Sequence, residues 1–99
     1  MSETAEKTLK PGKDIVASMA DDLRKDLIKE VGEGVTKLTI DLEGVEMVDS
    51  VGIGVLVATY NSLSKSGGSM LVSNVSPDLY KLFRTMRLDQ HFEVTPAGS

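Results

Sequence analysis

The sequence contains no cysteine and no tryptophan, and its 99 residues include a single histidine, His91. The absence of cysteine excludes disulfides, thiolate metal sites and a cysteine nucleophile. With one histidine, a zinc centre would need carboxylate ligands or a second chain. No apolar run approaches the length of about 18 residues that a membrane-spanning helix requires, and the first residues are polar, unlike a secretory signal. We therefore expect a cytoplasmic protein with no membrane insertion.

Positive charge is also scarce, with eleven Lys and Arg against fifteen Asp and Glu and a formal net charge of −4. Proteins that track nucleic-acid phosphates usually present a basic face, so we expect no nucleic-acid partner. The acidic residues are concentrated in residues 1–50, which hold twelve acidic and seven basic side chains, whereas residues 51–99 hold three and four. This asymmetry indicates either a solvated acidic face on a first helix or an acidic surface that recruits a basic partner.

Hydrophobic residues make up 40% of the chain, which is enough for one modest core. A chain of this length leaves no room for a second domain. We therefore predict a single domain over residues 1–99, with an ordered core over about residues 8–94.

Three segments carry apolar residues at the three- and four-residue steps of a helix. The first follows Asp14, a predicted N-cap, and ends near Gly32; the third begins with Ser76 as N-cap and Pro77 at the first helical position. The predicted inward residues are Ile15, Val16, Met19, Ala20, Leu23, Leu27, Ile28 and Val31 in the first helix, Ile53, Leu56, Val57, Tyr60 and Leu63 in the second, at about 51–65, and Leu79, Leu82, Phe83 and Met86 in the third; Met47 and Met70, between the helices, are also placed in the core.

Alternating or short apolar runs between these helices predict strands at 35–42, 70–72 and 91–94, with a further short strand near residues 8–9. Strands that alternate with helices are typical of an α/β fold, and we predict a mixed, mostly parallel sheet with helices packed against it. The N-terminal strand is predicted to be shortened or missing. A sheet edge exposed in this way favours weak pairing between two copies of the chain.

Residues 47–56 carry the candidate chemistry, because a buried strand ends and a helix begins within them. Ser50 is predicted at or next to the N-cap, where the first N–H groups of the helix lack partners and the helix end is electropositive. A hydroxyl there can carry a phosphate, which adds a charge of about −1.5 to −2. Gly52 and Gly54 cost roughly 1 kcal/mol each inside a helix. They serve either close helix–strand packing or a bare backbone that another protein can approach.

The run Asp49-Ser50-Val51-Gly52-Ile53-Gly54 resembles the Asp-Ser-x-Gly-Leu-Gly signature of bacterial anti-sigma factor antagonists, in the STAS-domain family. The segment 38–48, the Gly-Gly turn and strand at 66–72, and the helix start at 75–77 resemble its neighbouring segments. The resemblance covers about residues 12–94. Two departures are visible: the family usually opens with two strands before its first helix, and it often shows Gly-x-Leu-Asp where this chain has Gly12-Lys13-Asp14.

The resemblance implies a non-enzymatic signalling switch in bacterial transcription regulation, with no cofactor. In the family, the serine after the aspartate is phosphorylated by a serine-kinase anti-sigma factor; the unphosphorylated antagonist binds that kinase and frees a sigma factor, and a PP2C-type phosphatase reverses the modification. Carried over by position, Ser50 is the phosphoacceptor, and Asp49, Val51, Gly52, Ile53 and Gly54 complete the partner-binding site. The alternative is a STAS module that does not cycle, as a subunit of a lipid-transport ATPase complex or a signalling scaffold.

Other groups of residues give weaker indications of function than the Asp-Ser signature does. Asp49, Ser50 and His91 have the residue types of a hydrolase triad, but the chain has no Gly-x-Ser-x-Gly elbow. The two signature glycines lack the Gly-Lys-Ser/Thr of a P-loop, so ATP binding is not expected. Glu43, Glu46 and Asp49 cluster after a strand and are interpreted as solvated carboxylates rather than as a cation site.

Overall fold

The computed structural model describes residues 6–97, in which strands and helices alternate as the sequence predicts. The elements are β1 (Glu6–Leu9), α1 (Ala17–Gly32), β2 (Lys37–Asp41), α2 (Ser50–Lys65), β3 (Ser69–Val75), α3 (Pro77–Thr85) and β4 (Glu93–Pro96), with a 3-10 helix at Leu88–Gln90. The α/β prediction is confirmed, and the N-terminal strand is present with four residues. The predicted single domain over residues 1–99 includes residues 1–5 and 98–99, which lie outside the described residues.

The described strands form one sheet in the order β1-β2-β3-β4, and all three pairings are parallel. The sequence predicted a mixed, mostly parallel sheet, and the described strands are parallel throughout. The difference arises in the connections, because each of the three contains a helix that carries the chain back to the same end of the sheet.

The two faces of the sheet differ in burial, as the register shows. One row across the four strands is buried or half-buried and consists of Leu9, Ile40, Val72 and Val94. The adjacent row points the other way, is exposed or half-buried, and consists of Thr8, Thr39, Leu71 and Glu93. Consecutive right-handed crossovers place their helices on the same face, which accounts for one covered and one open face.

The first helix begins three residues beyond its predicted cap. The N-cap position of α1 is Val16, whose side chain makes no capping hydrogen bond. Asp14 instead accepts hydrogen bonds through Oδ1 from the N–H groups of Glu46, at 2.9 Å, and Met47, at 3.1 Å. The prediction of Asp14 as N-cap is therefore wrong, because its carboxylate is engaged by a loop distant in sequence.

The core lies between the covered sheet face and the helices. Its largest fully buried side chains are Ile15, Leu27, Leu38, Ile40, Leu42, Val45, Leu56, Leu63, Val72, Val75 and Phe83. Four residues predicted to face inward are exposed instead: Ile28, Met47, Leu82 and Met86. Consecutive residues of a helix point about 100° apart. Ile28 therefore cannot point inward as its neighbour Leu27 does, and Leu82 cannot point inward as its neighbour Phe83 does.

Candidate functional site

The candidate site begins at a carboxylate that joins two helices. Asp49 is the N-cap of α2, and its Oδ1 accepts the N–H of Gly52 at 2.9 Å. Its Oδ2 accepts the N–H of Ala17, the first residue of α1, also at 2.9 Å. Each of these donors lacks a partner within its own helix. One side chain therefore caps both helices and places their electropositive ends together.

Backbone hydrogen bonds join the segment before α1 to the segment before α2. The N–H of Ile15 donates to the carbonyl of Met47 at 2.9 Å, and the N–H of Asp49 donates to the carbonyl of Ile15 at 3.0 Å. Ile15 and Val48 thereby form an isolated parallel bridge. Together with the bonds to Asp14 and from Ala17, these contacts hold the residues that precede Ser50 in one conformation.

The other end of the loop at residues 42–49 is held by a polar cluster at the ends of the strands. Asp41 Oδ1 accepts from Asn74 Nδ2 at 3.0 Å and from the N–H of Glu43 at 2.9 Å. The Asn74 side chain, followed by the Glu43 N–H, lowers the pKa of Asp41 because both donate to the charged carboxylate. Lys10 pairs with Glu43, which raises the pKa of the lysine. The loop is thus fixed at both ends.

Ser50 is the first residue of α2 and is exposed, one position after the cap. Two exposed apolar side chains flank it in sequence: Met47, 55% exposed, and Val51, 47% exposed. The sequence pattern predicted Val51 at the site but placed Met47 in the core. Met47 lies in a loop with no regular period, so no periodic signal could have shown its direction. Ser50 therefore presents an exposed hydroxyl, with an exposed apolar residue on either side of it in the sequence, on a segment held by hydrogen bonds.

The two signature glycines have different roles. A Cβ on Gly52 would lie 2.6 Å from the carbonyl oxygen of Ile15 and 2.9 Å from Val48 Cγ1, so α2 can pack this closely only with glycine at that position. A Cβ on Gly54 would meet no atom within 4 Å. Close packing therefore explains Gly52, whereas Gly54 leaves an exposed stretch of backbone near Ser50.

The six predicted site residues thus divide into a surface and its support. Ser50, Val51 and Gly54 are exposed. Asp49 is half-buried, and Gly52 and Ile53 are buried, so these three support the surface from below.

The residue types of a hydrolase triad are not brought together. The His91 ring lies beside Tyr60, with ring centroids 6.0 Å apart. Tyr60 is ten residues along α2 from Ser50, a rise of about 15 Å. Within residues 6–97, no three His, Asp or Glu side chains are placed to hold a metal ion, which includes the carboxylates after β2. No helix in that same part of the chain combines the length and apolarity needed to cross a membrane.

A model of the STAS domain family matches residues 3–97, nearly the whole chain and all of the site just described. The chain belongs to the STAS domain family. The α/β architecture, a sheet with helices packed against it, is the fold that the sequence resemblance predicted.

Several relatives of this STAS domain carry regulatory names. The anti-sigma-B factor antagonist of Bacillus subtilis is 39% identical over 61 residues, covering 62% of this chain and 55% of that protein. The chain therefore aligns with little more than half the length of this relative. A crystal structure of a candidate anti-sigma factor antagonist from Thermotoga maritima superimposes with a TM-score of 0.86 and 25% identity, over 91% of this chain and 78% of that one.

A further solved structure has the same fold at lower sequence identity. It is the Bacillus cell fate determinant SpoIIAA in its phosphorylated form, with a TM-score of 0.74, 19% identity, and coverage of 95% of this chain and 86% of that one. At this level of identity the likeness establishes the fold that the two chains share.

Proposed function

We propose that this STAS domain is an anti-sigma factor antagonist whose binding to a serine-kinase anti-sigma factor is controlled by phosphorylation of Ser50. The proposal is supported by one observation above all: an exposed hydroxyl stands at the first residue of α2, directly after a capping aspartate, between two exposed apolar side chains. The names of the relatives point to the same role. The unphosphorylated form binds the kinase and frees a sigma factor, and a PP2C-type phosphatase regenerates it; the chain itself acts as a binding protein rather than an enzyme.

The docking surface consists of Met47, Ser50, Val51 and Gly54. Burying the two apolar side chains against a partner is favourable by about 25 cal/mol per Å² of apolar area removed from water. The bare backbone at Gly54 permits close approach by the partner. Because the junction is held by hydrogen bonds from two segments, little conformational entropy is lost when it is bound.

Phosphorylation of Ser50 would make docking of the partner unfavourable. The phosphate brings a charge of about −1.5 to −2 to a site beside the Asp49 carboxylate. The two carboxylate oxygens of Asp49 already accept the N–H groups of Gly52 and Ala17, so these two donors are not free to neutralise the new charge. Docking would then place a dianion between Met47 and Val51 in a dry interface. Such a charge costs several kcal/mol, which corresponds to a hundredfold or greater loss of affinity.

The test is the affinity of purified variants for each serine-kinase anti-sigma factor of the source genome, measured by calorimetry. Ser50→Ala should bind at least as tightly as the unmodified protein and should accept no phosphoryl group. Ser50→Asp, which adds one negative charge, should bind about tenfold or more weakly. Ser64→Asp is the matched control, because it adds the same charge to an exposed position farther along α2 and should bind normally.

A second measurement is the intact mass and modification site of the protein recovered from its native cells, before and after phosphatase treatment. One phosphoryl group on Ser50 supports the switch. An unmodified mass in every growth state, or equal affinity of Ser50→Ala and Ser50→Asp, would refute it and leave Asp49-Ser50 as a helix cap in a module that does not cycle.

A further inference from the structure

A second surface lies on α3, away from the residues of the proposed switch. Lys81 and Arg84 are exposed on this helix, and Arg87 follows one turn later, its N–H donating to the carbonyl of Arg84 at 3.0 Å. Within residues 6–97 the ion pairs are those of Lys10 with Glu43 and Arg24 with Asp21, so none of these three cations has a carboxylate partner. The chain as a whole has a net charge of −4, so these three cations, close together in sequence, give this part of the surface a positive charge.

Lys81 and Arg84 line a groove on this surface. The Arg84 guanidinium lies over the ring of Tyr80, with its carbon 6.0 Å from the ring centroid. Such stacking restricts the arginine while leaving its N–H groups able to donate. The groove runs between α3 and the end of β4 and is lined by Pro77, Tyr80, Lys81, Arg84, Thr85 and Pro96.

Arg87 has an unusual backbone for a residue with a side chain. Its φ and ψ are 60° and 28°, in the left-handed region, just after the C-cap of α3. This position after a helix is the one that glycine favours, because a Cβ there is strained. An arginine in that conformation carries a stability cost relative to glycine. Residues held in strained conformations cluster at functional sites.

We propose that the basic face of α3, formed by Lys81, Arg84 and Arg87, docks an acidic protein segment that also carries apolar side chains. Charge complementarity selects the carboxylates, and the groove side chains Pro77, Tyr80 and Pro96 contact the apolar groups. Nucleic acids and anionic membranes bind through broad basic fields, whereas here Asp78 and Asp89 stand on either side of only three cations. This inference is independent of Ser50 and of the kinase.

The experiment is a titration of the ¹⁵N-labelled full chain, in its unphosphorylated form, with a peptide of Glu-Glu-Leu-Ser repeats, followed by amide chemical shifts. Shifts should concentrate at residues 77–90, and the affinity should fall with added salt. The double substitution Lys81→Glu with Arg84→Glu should weaken binding about tenfold or more. The matched control, Lys25→Glu with Lys29→Glu on exposed positions of α1, makes the same change in net charge and should leave binding intact.

The substitution Arg87→Gly distinguishes an effect on peptide binding from an effect on folding. It should raise the midpoint of thermal unfolding, because glycine relieves the left-handed strain, and should weaken peptide binding. The proposal is overturned if the shifts are absent or scattered, if the α1 control loses as much affinity as the α3 variant, or if Arg87→Gly binds normally. Tighter binding of duplex DNA, or of vesicles of phosphatidylcholine and phosphatidylserine, than of the peptide would likewise overturn it.

Discussion

The two signature glycines provide a paired test of the geometry that supports Ser50. In Gly52→Ala, the new Cβ would lie 2.6 Å from the carbonyl oxygen of Ile15, 2.7 Å from Ile15 Cγ2 and 2.9 Å from Val48 Cγ1. Both neighbours are buried core residues, so neither can rotate into solvent. In Gly54→Ala, the new Cβ would meet no atom within 4 Å. The same chemical change two residues apart should therefore have opposite effects on stability.

The magnitude follows from three contributions. Forcing one extra carbon into a packed site costs about 1–3 kcal/mol. The Ile15 carbonyl accepts the N–H of Asp49 at 3.0 Å, and displacing it weakens a hydrogen bond whose net contribution is about 1 kcal/mol. Alanine in place of glycine in a helix returns about 1 kcal/mol. Gly52→Ala should therefore lower the free energy of unfolding by about 1–3 kcal/mol, whereas Gly54→Ala should raise it by about 0.5–1 kcal/mol.

The assay is urea and thermal unfolding followed by far-ultraviolet circular dichroism. For a chain of this length, each kcal/mol moves the thermal midpoint by about 4–8 °C, so the two variants should differ by about 6 °C or more. If Gly52→Ala unfolds within about 0.5 kcal/mol of the parent protein, the close approach of α2 to Ile15 is refuted. Destabilisation by Gly54→Ala would show instead that this residue also packs against something.

Two further predictions concern carboxylates. Asp49→Ala removes the cap of two helices at once and should lower the free energy of unfolding in urea by about 2–3 kcal/mol. Asp49→Asn keeps one acceptor oxygen and should lower it by less. A decrease below about 0.5 kcal/mol for Asp49→Ala would contradict the double cap. The pKa of Asp41 is lowered by donation from Asn74, so its contribution to stability is present above the unfolded pKa, near pH 4, and is lost as the pH falls through the lower folded value. The stability advantage of the parent protein over Asp41→Asn should therefore narrow below about pH 4, and a difference independent of pH would refute this.

Much of the element order could be predicted because its signals are short-range. Ser76 caps α3 through its side chain, which accepts the N–H of Leu79 at 3.4 Å, and Pro77 is the first residue of that helix, both as predicted. The start of α2 beside Asp49 and Ser50 was also predicted. In each case the donor and acceptor lie within one turn of each other, so the neighbouring sequence alone specifies the bond.

The amino-acid sequence alone therefore specified the α/β order, the starts of α2 and α3, and the position of Ser50 at a helix N-terminus. Tertiary structure decided which partner each group finds. Asp14 lies where a cap is expected but binds a loop 32 and 33 residues away, and Asp49 caps α1 from the same separation. The direction of Met47 and the division of roles between Gly52 and Gly54 were decided in the same way. Periodicity and capping depend on residues within a few positions, whereas these contacts depend on how closely α2 packs against the segment before α1, which no local pattern encodes.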